Sequence, residues 1–74
     1  MRELVKNIIN EVRSLKGLAP IEKIEDNMDL REDLSLSSFD LAELTVRIED
    51  EYDIDIFEDG LVNTVGEIFA KLEK

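Results

Sequence analysis

Apolar residues recur at Leu4, Val5, Ile8, Ile9, Val12 and Leu15, and these three- and four-residue intervals predict an amphipathic helix from about Arg2 to Leu15. Lys16 places a cation in its last turn, and Gly17 tolerates the left-handed backbone on which helices commonly end. Residues 18–37 lose the period. Pro20 and the scattered anchors Ile21, Ile24, Met28, Leu30, Leu34 and Leu36 predict a long ordered loop pinned by buried side chains. Loops beyond about 12 to 15 residues are uncommon in compact domains and are often functional. The helical period returns from Ser38 to Tyr52, where Ser37 is a good N-cap and Asp40 lays negative charge against the helix dipole. At about 100° per residue, Leu41, Leu44, Ile48 and Tyr52 form one face, the core stripe. Phe39, Ala42 and Val46 fall nearly opposite, with Glu43, Asp50 and Asp53 on the same side. That second strip either faces a partner or packs under the loop or the last helix.

After Asp53 the run Ile54, Asp55, Ile56, Phe57 alternates like a strand, but one strand has no partner and the run reads as a buried connection. Glu58 to Val62 has the length of one helical turn. Thr64-Val65-Gly66-Glu67 matches a capping box opening a last helix that holds Val65, Ile68, Phe69 and Leu72. Gly66 costs such a helix roughly 1 kcal/mol relative to alanine, which points to close packing or to simple tolerance. The pattern thus predicts an all-α bundle of three main helices and a short fourth, with one long loop between the first two.

Composition narrows the chemistry. Residues 1–74 make one domain, and a domain of this size hides roughly 60% of the surface its unfolded chain exposes, so the core is thin. There is no cysteine to serve as nucleophile or thiolate ligand and no histidine to shuttle protons near neutral pH. The chain is poorly equipped to be an enzyme. With no long apolar run and no basic, apolar leader over Met1 to Lys6, it reads as a soluble cytoplasmic protein.

The net charge of −10 is unevenly placed. Asp29 to Asp59 holds twelve acidic residues against Arg31 and Arg47, while the other seven acids and seven bases cancel. A field of that sign repels nucleic acid and anionic membrane and steers basic protein surfaces toward itself. The acidic run Asp50 to Gly60 does not make a calcium loop. Started at Asp53, the loop needs glycine and glutamate where Glu58 and Thr64 stand; started at Asp50, it puts Tyr52 at the third ligand position. No metal site and no catalytic carboxylate pair is expected. The serine pair offers more. Ser37, as N-cap, spends its oxygen on a backbone amide, whereas Ser38 in the first turn points its hydroxyl outward at the positive end of the dipole, where a phosphate ester gains stability. The plainer alternative is two ordinary helix-start serines.

The stretch EDLSLSSFDLAELTVRIEDEYDIDI resembles the modification-site segment of the acyl carrier proteins. In that family an acidic-Leu loop leads to a serine, an apolar residue, often an acid, and then an acidic amphipathic helix ending in an aromatic residue and alternating isoleucines. The likeness extends over nearly the whole chain in helix order, length and charge. It implies an acyl-carrier-like bundle in which Ser38, the matching residue, receives 4′-phosphopantetheine covalently from coenzyme A through a phosphopantetheinyl transferase. The cofactor's thiol, which would explain the missing cysteine, then carries acyl groups as thioesters in fatty acid or polyketide biosynthesis. The resemblance further implies a monomer that docks biosynthetic enzymes with basic surfaces through Phe39, beside the serine, and through Glu43, Val46, Glu49 and Asp50. Ser37 stands where the family usually has aspartate, so no charge precedes the serine. The segment from Ile56 to Thr64 is shorter than in typical fatty-acid carriers, which implies a different third helix and acyl pocket. An aminoacyl or peptidyl carrier working with an adenylating enzyme matches the same residues, and an unmodified acidic helical adaptor is the alternative of another class.

Overall fold

The computed structural model describes residues 2–58, 60 and 62–73, and helix α1 spans Arg2–Leu15, α2 Ser38–Tyr52 and α3 Val65–Leu72. These are the three expected helices, with the long loop between α1 and α2 and no strand among the described residues. The expected short fourth helix falls on residues 58–62, of which 59 and 61 lie outside the described residues. At its described residues, Glu58 N–H bonds to Asp55 O and Gly60 N–H to Phe57 O, each at 3.2 Å, which are turn bonds.

α1 ends as its sequence dictates. Gly17 takes a left-handed φ of 77°, Gly17 N–H bonds to Ser14 O at 3.0 Å, and Leu18 N–H reaches Arg13 O at 3.1 Å. This double bond pattern satisfies carbonyls that a helix end otherwise leaves orphaned. Its buried face, Val5, Ile8, Ile9 and Val12, packs with Leu41, Leu44 and Ile48 of α2 and Val65, Ile68 and Phe69 of α3 in one core. Leu4 and Leu15, at the edges of the α1 stripe, are exposed.

Loop anchors complete that core. Ile24, Leu30, Leu34 and Leu36 are buried, Ile21 and Met28 half-buried, so the segment is ordered by its side chains rather than by backbone pairing. Backbone bonds also tie it to the start of α3: Leu30 N–H bonds to Asn63 O at 2.8 Å and Val65 N–H to Met28 O at 3.0 Å. Thr64 caps α3 by accepting from Glu67 N–H, while the Glu67 carboxylate reaches back to Asn63 N–H and the Thr64 hydroxyl. Gly66 is there for close packing. A Cβ on it would stand 3.0 Å from the Asp26 carbonyl oxygen, which also accepts from Gly66 N–H. Past α2, Ile56 is fully buried and Ile54 and Phe57 half-buried, as a buried connection requires.

Candidate functional site: the serine at the start of α2

The chain reaches Ser38 through a tightly held approach. Asp29 folds the loop into a turn, its Oδ1 accepting from Arg31 N–H (2.8 Å) and Glu32 N–H (2.9 Å). Two cations from the end of α1 grip the next few residues. Arg13, buried, donates to the carbonyls of Leu34 and Ala19, and Lys16 donates to Ser35 O. Ser35 sits in the left-handed region at φ 59°, which turns the chain just before α2. Neither grip was legible beyond Lys16 as a helix-end cation, because both span some twenty residues.

Ser37 is the N-cap, and its hydroxyl is fully used. It accepts from Asp40 N–H at 3.3 Å and donates to Asp40 Oδ2 at 2.9 Å, while Asp40 Oδ2 also accepts from Ser37 N–H at 2.8 Å. This is a reciprocal capping box with aspartate as its acid. Lys16 Nζ lies 2.7 Å from the same Oδ2. Asp40, only 9% exposed, is therefore a buried charge with three partners. The Lys16 ammonium, and then the Ser37 N–H, hold its carboxyl below the ordinary aspartate range against the opposing effect of burial.

Ser38 has none of these obligations. It is exposed, and among the described residues the one side-chain bond at its Oγ is donated by the Arg31 guanidinium at 3.2 Å. The hydroxyl opens on a groove of about 420 Å³ lined by Arg31, Ser38, Leu41, Ala42, Thr45, Asp55 and Phe57. Ser38, Leu41, Ala42 and Thr45 follow the i, i+3, i+4, i+7 rule, so the groove runs along α2 with the 55–57 connection as its other wall. A free hydroxyl at a helix start, a guanidinium beside it and a half-apolar groove leading away are the parts a phosphate-linked organic arm requires. Sequence reasoning passed over Arg31, although it is one of only two basic residues among the twelve acids from 29 to 59.

Residues 3–72 match the family model for the phosphopantetheine attachment site. The chain belongs to this family. It is a carrier rather than a catalyst, and the prosthetic group that goes with the family is 4′-phosphopantetheine. The carrier is 38% identical over 63 residues to an acyl carrier protein of Buchnera aphidicola subsp. Schizaphis graminum, which covers 82% of this chain and 75% of the relative. It is 41% identical over 69 residues to an acyl carrier protein of Saccharopolyspora erythraea, covering 90% of this chain and 72% of that one. Membership implies a phosphopantetheinyl transferase and biosynthetic enzymes as partners.

On the carrier's outer α2 surface, Phe39 is 82% exposed and Val46 61% exposed, so neither packs under the loop or the last helix. Glu49 and Asp50 are exposed beside them. Glu43 differs: it is half-buried, and its Oε2 is held at 2.8 Å by Arg47 Nε, whose other arm reaches Glu11 Oε2 on α1 at 2.7 Å. The structure thus brings Phe39, Val46, Glu49 and Asp50 onto one free strip and leaves Glu43 at its margin, already paired. Among the described residues no helix is long and apolar enough to cross a membrane.

Proposed function

We propose that this chain is an acyl carrier whose 4′-phosphopantetheine arm is attached at Ser38 Oγ. The observation that carries the assignment is the division of labour between the serines: Ser37's hydroxyl is committed to the Asp40 capping box, and Ser38's faces the groove. The bound arm supplies the thiol on which cargo is held as a thioester. The protein's own part is to present a free hydroxyl on a rigid helix start and to offer a groove lined by Leu41, Ala42 and Phe57 against which an apolar chain can lie. Its volume falls in the range of about 300–1,000 Å³ common for small-molecule sites. The names of the relatives favour acyl over aminoacyl cargo, which supports a role in fatty acid or polyketide biosynthesis.

Phe39, Val46, Glu49 and Asp50 form the docking strip in this reading, with Glu43 contributing less because Arg47 already neutralises it. Exposed ion pairs are each worth about 0.2–1 kcal/mol, so docking to basic enzymes is weak, fast and salt-sensitive, which suits a monomeric cytoplasmic shuttle that must leave each partner. Intact mass after incubation with coenzyme A and a broad-specificity phosphopantetheinyl transferase tests the site. A gain of one arm, lost in Ser38→Ala and retained in Ser37→Ala, is expected. A gain that persists in Ser38→Ala refutes the attachment residue. Loading by an adenylating enzyme with an amino acid, and not with fatty or polyketide acyl groups, refutes the cargo.

A further inference from the structure

Arg31 is rooted firmly and used little. Leu30 before it is fully buried and bonded through its N–H to Asn63 O, and the Asp29 carboxylate holds the N–H groups of Arg31 and Glu32. The position of its Cα is therefore fixed, while its side chain is exposed on the groove that Ser38 also lines. Arg31 forms no ion pair within 4.0 Å among the described residues, although Glu32 and Asp33 follow it in the chain. The other arginines are engaged: Arg2 with Asp26, Arg13 with two carbonyls, and Arg47 with Glu11 and Glu43. A guanidinium offers five N–H donors in a rigid fork, and among the described residues Arg31 spends a single one, on a neutral hydroxyl.

A phosphodiester at Ser38 would add an anion to the segment 29–59, which already holds the whole −10 net charge of the protein. Ser37 contributes no charge beside it, and Lys16, on the other side of the cap, is paired with Asp40. Arg31 is the cation already in contact with the oxygen that would become the ester bridge. When Ser38 Oγ attacks the pantetheine-side phosphorus of coenzyme A, the Oγ–P bond forms as the pyrophosphate P–O bond breaks, adenosine 3′,5′-bisphosphate leaves and the hydroxyl proton is lost. The stronger acceptors become the two non-bridging oxygens, two bonds from Oγ. A fork that reaches the bridge reaches them with little movement, and arginine pairs with phosphate in this bidentate, charge-assisted way.

We propose that Arg31 is the arm's phosphate clamp, a positioning residue whose guanidinium pairs with the phosphodiester on Ser38 and sets the arm's root at the mouth of the groove. The proposal rests on Ser38 as the attachment residue and extends that reading by naming the charge partner. A phosphate held over Arg31 would root the arm at the groove lined by Leu41, Ala42, Thr45 and Phe57, so the clamp also biases the arm toward it.

The test uses the full chain with and without the arm, as wild type, Arg31→Gln and Arg31→Lys. Intact mass first establishes loading. In the wild-type holo protein the ³¹P resonance is expected to move as NaCl is raised to about 1 M, where the screening length falls to about 3 Å. In Arg31→Gln it is expected to lie at the high-salt position throughout, with Arg31→Lys between. Attachment of the arm is expected to raise Tm more in wild type than in Arg31→Gln, with the two apo proteins melting alike. A wild-type ³¹P resonance indifferent to salt, or Arg31→Gln indistinguishable from wild type, overturns the clamp and leaves the attachment site standing. A mass gain that survives Ser38→Ala overturns the attachment site itself, and the clamp with it. Should Arg31→Gln resist loading, the salt titration of the wild-type holo protein alone decides.

Discussion

Removing the Asp40 carboxylate is expected to cost about 2 kcal/mol, although the residue touches neither the groove nor the docking strip. Asp40 Oδ2 accepts from Ser37 N–H, Ser37 Oγ and Lys16 Nζ. Asp40→Ala deletes the reciprocal half of a cap, worth about 1 kcal/mol. It also removes the ion-pair partner of Lys16, leaving the ammonium its bond to Ser35 O, a loss of about 1 kcal/mol once the full value of a charge-assisted bond is discounted because that side chain is 33% exposed. For a domain of this size, 2 kcal/mol corresponds to a Tm lowered by about 8–16 °C. Asp40→Asn retains an amide oxygen for Ser37 N–H and loses only the charge, so about half that cost is expected. The sign of the pH dependence comes from the same contacts. With the folded-state carboxyl held below its ordinary range, the unfolded chain binds the proton first as the solution is acidified. The stabilisation is therefore complete above the unfolded value of about 4 and is lost as pH falls through the lower folded one. Melting curves of wild type and Asp40→Asn between pH 7 and pH 2.5 should show a constant gap at the upper end that narrows below about pH 4. A gap that stays flat to the acid limit, or an Asp40→Asn variant as stable as wild type at pH 7, refutes the role given to the charge.

Other substitutions separate packing from docking. Gly66→Ala gains helix propensity of up to about 1 kcal/mol, but its Cβ meets the Asp26 carbonyl oxygen at 3.0 Å; urea unfolding is expected to show a net loss of about 1 kcal/mol. Leu44→Ala, at a fully buried position, is expected to lose about 2–5 kcal/mol, whereas Phe39→Ala changes stability by less than about 0.5 kcal/mol and instead slows reactions with partner enzymes. Added NaCl or MgCl₂ is expected to raise Tm by relieving repulsion among the twelve carboxylates from 29 to 59; a flat response would show them too well dispersed to matter.

The helices were legible because each has a strong local signature. The stripe from Val5 to Val12, the Ser37 cap and the Leu41, Leu44, Ile48 face are periodic, and the observed bounds of α1 and α2 follow them. Ser38 was legible as the freer hydroxyl for the same reason, since capping geometry assigns one of two adjacent serines. What periodicity does not encode is contact across the chain. Arg13 to Leu34 O, Lys16 to Asp40 and Arg47 to Glu11 join residues 21, 24 and 36 positions apart, and a reading along the sequence takes each of these side chains as a solvated charge. Glu43 is a different case: Arg47 stands four residues after it, a local pair that helical spacing does encode and that a reading of Glu43 as a free docking carboxylate overlooks, whereas the reach of Arg47 to Glu11 is seen only in the fold. The Gly66 alternatives were separated in the same way, by the approach of Asp26 from the loop.

These pairings make α2 electrostatically uneven along its length. Arg47 bridges Glu43 to Glu11 and quiets the flank toward α1, while Lys16 and Arg31 stand near the helix start. Glu49 and Asp50, without an ion pair among the described residues, lie toward the other end, about 17–18 Å from Ser38 at 1.5 Å per residue. If the exposed strip is the docking surface proposed above, a basic enzyme is expected to engage the end of α2 remote from Ser38 through Glu49 and Asp50, with the exposed Phe39 and Val46 as apolar contacts. The proposed docking carboxylates and the proposed attachment serine would then be separated along α2 by more than a screening length at physiological salt, about 8 Å. Under that proposal, reversing charge at Glu49 or Asp50 is expected to alter encounter and its salt dependence in stopped-flow kinetics, whereas Arg31→Gln is expected to act on the root of the arm; unchanged encounter rates at low salt refute the docking role. The sharing out of roles between these two ends depends on the few cations that the acidic middle of the chain retains.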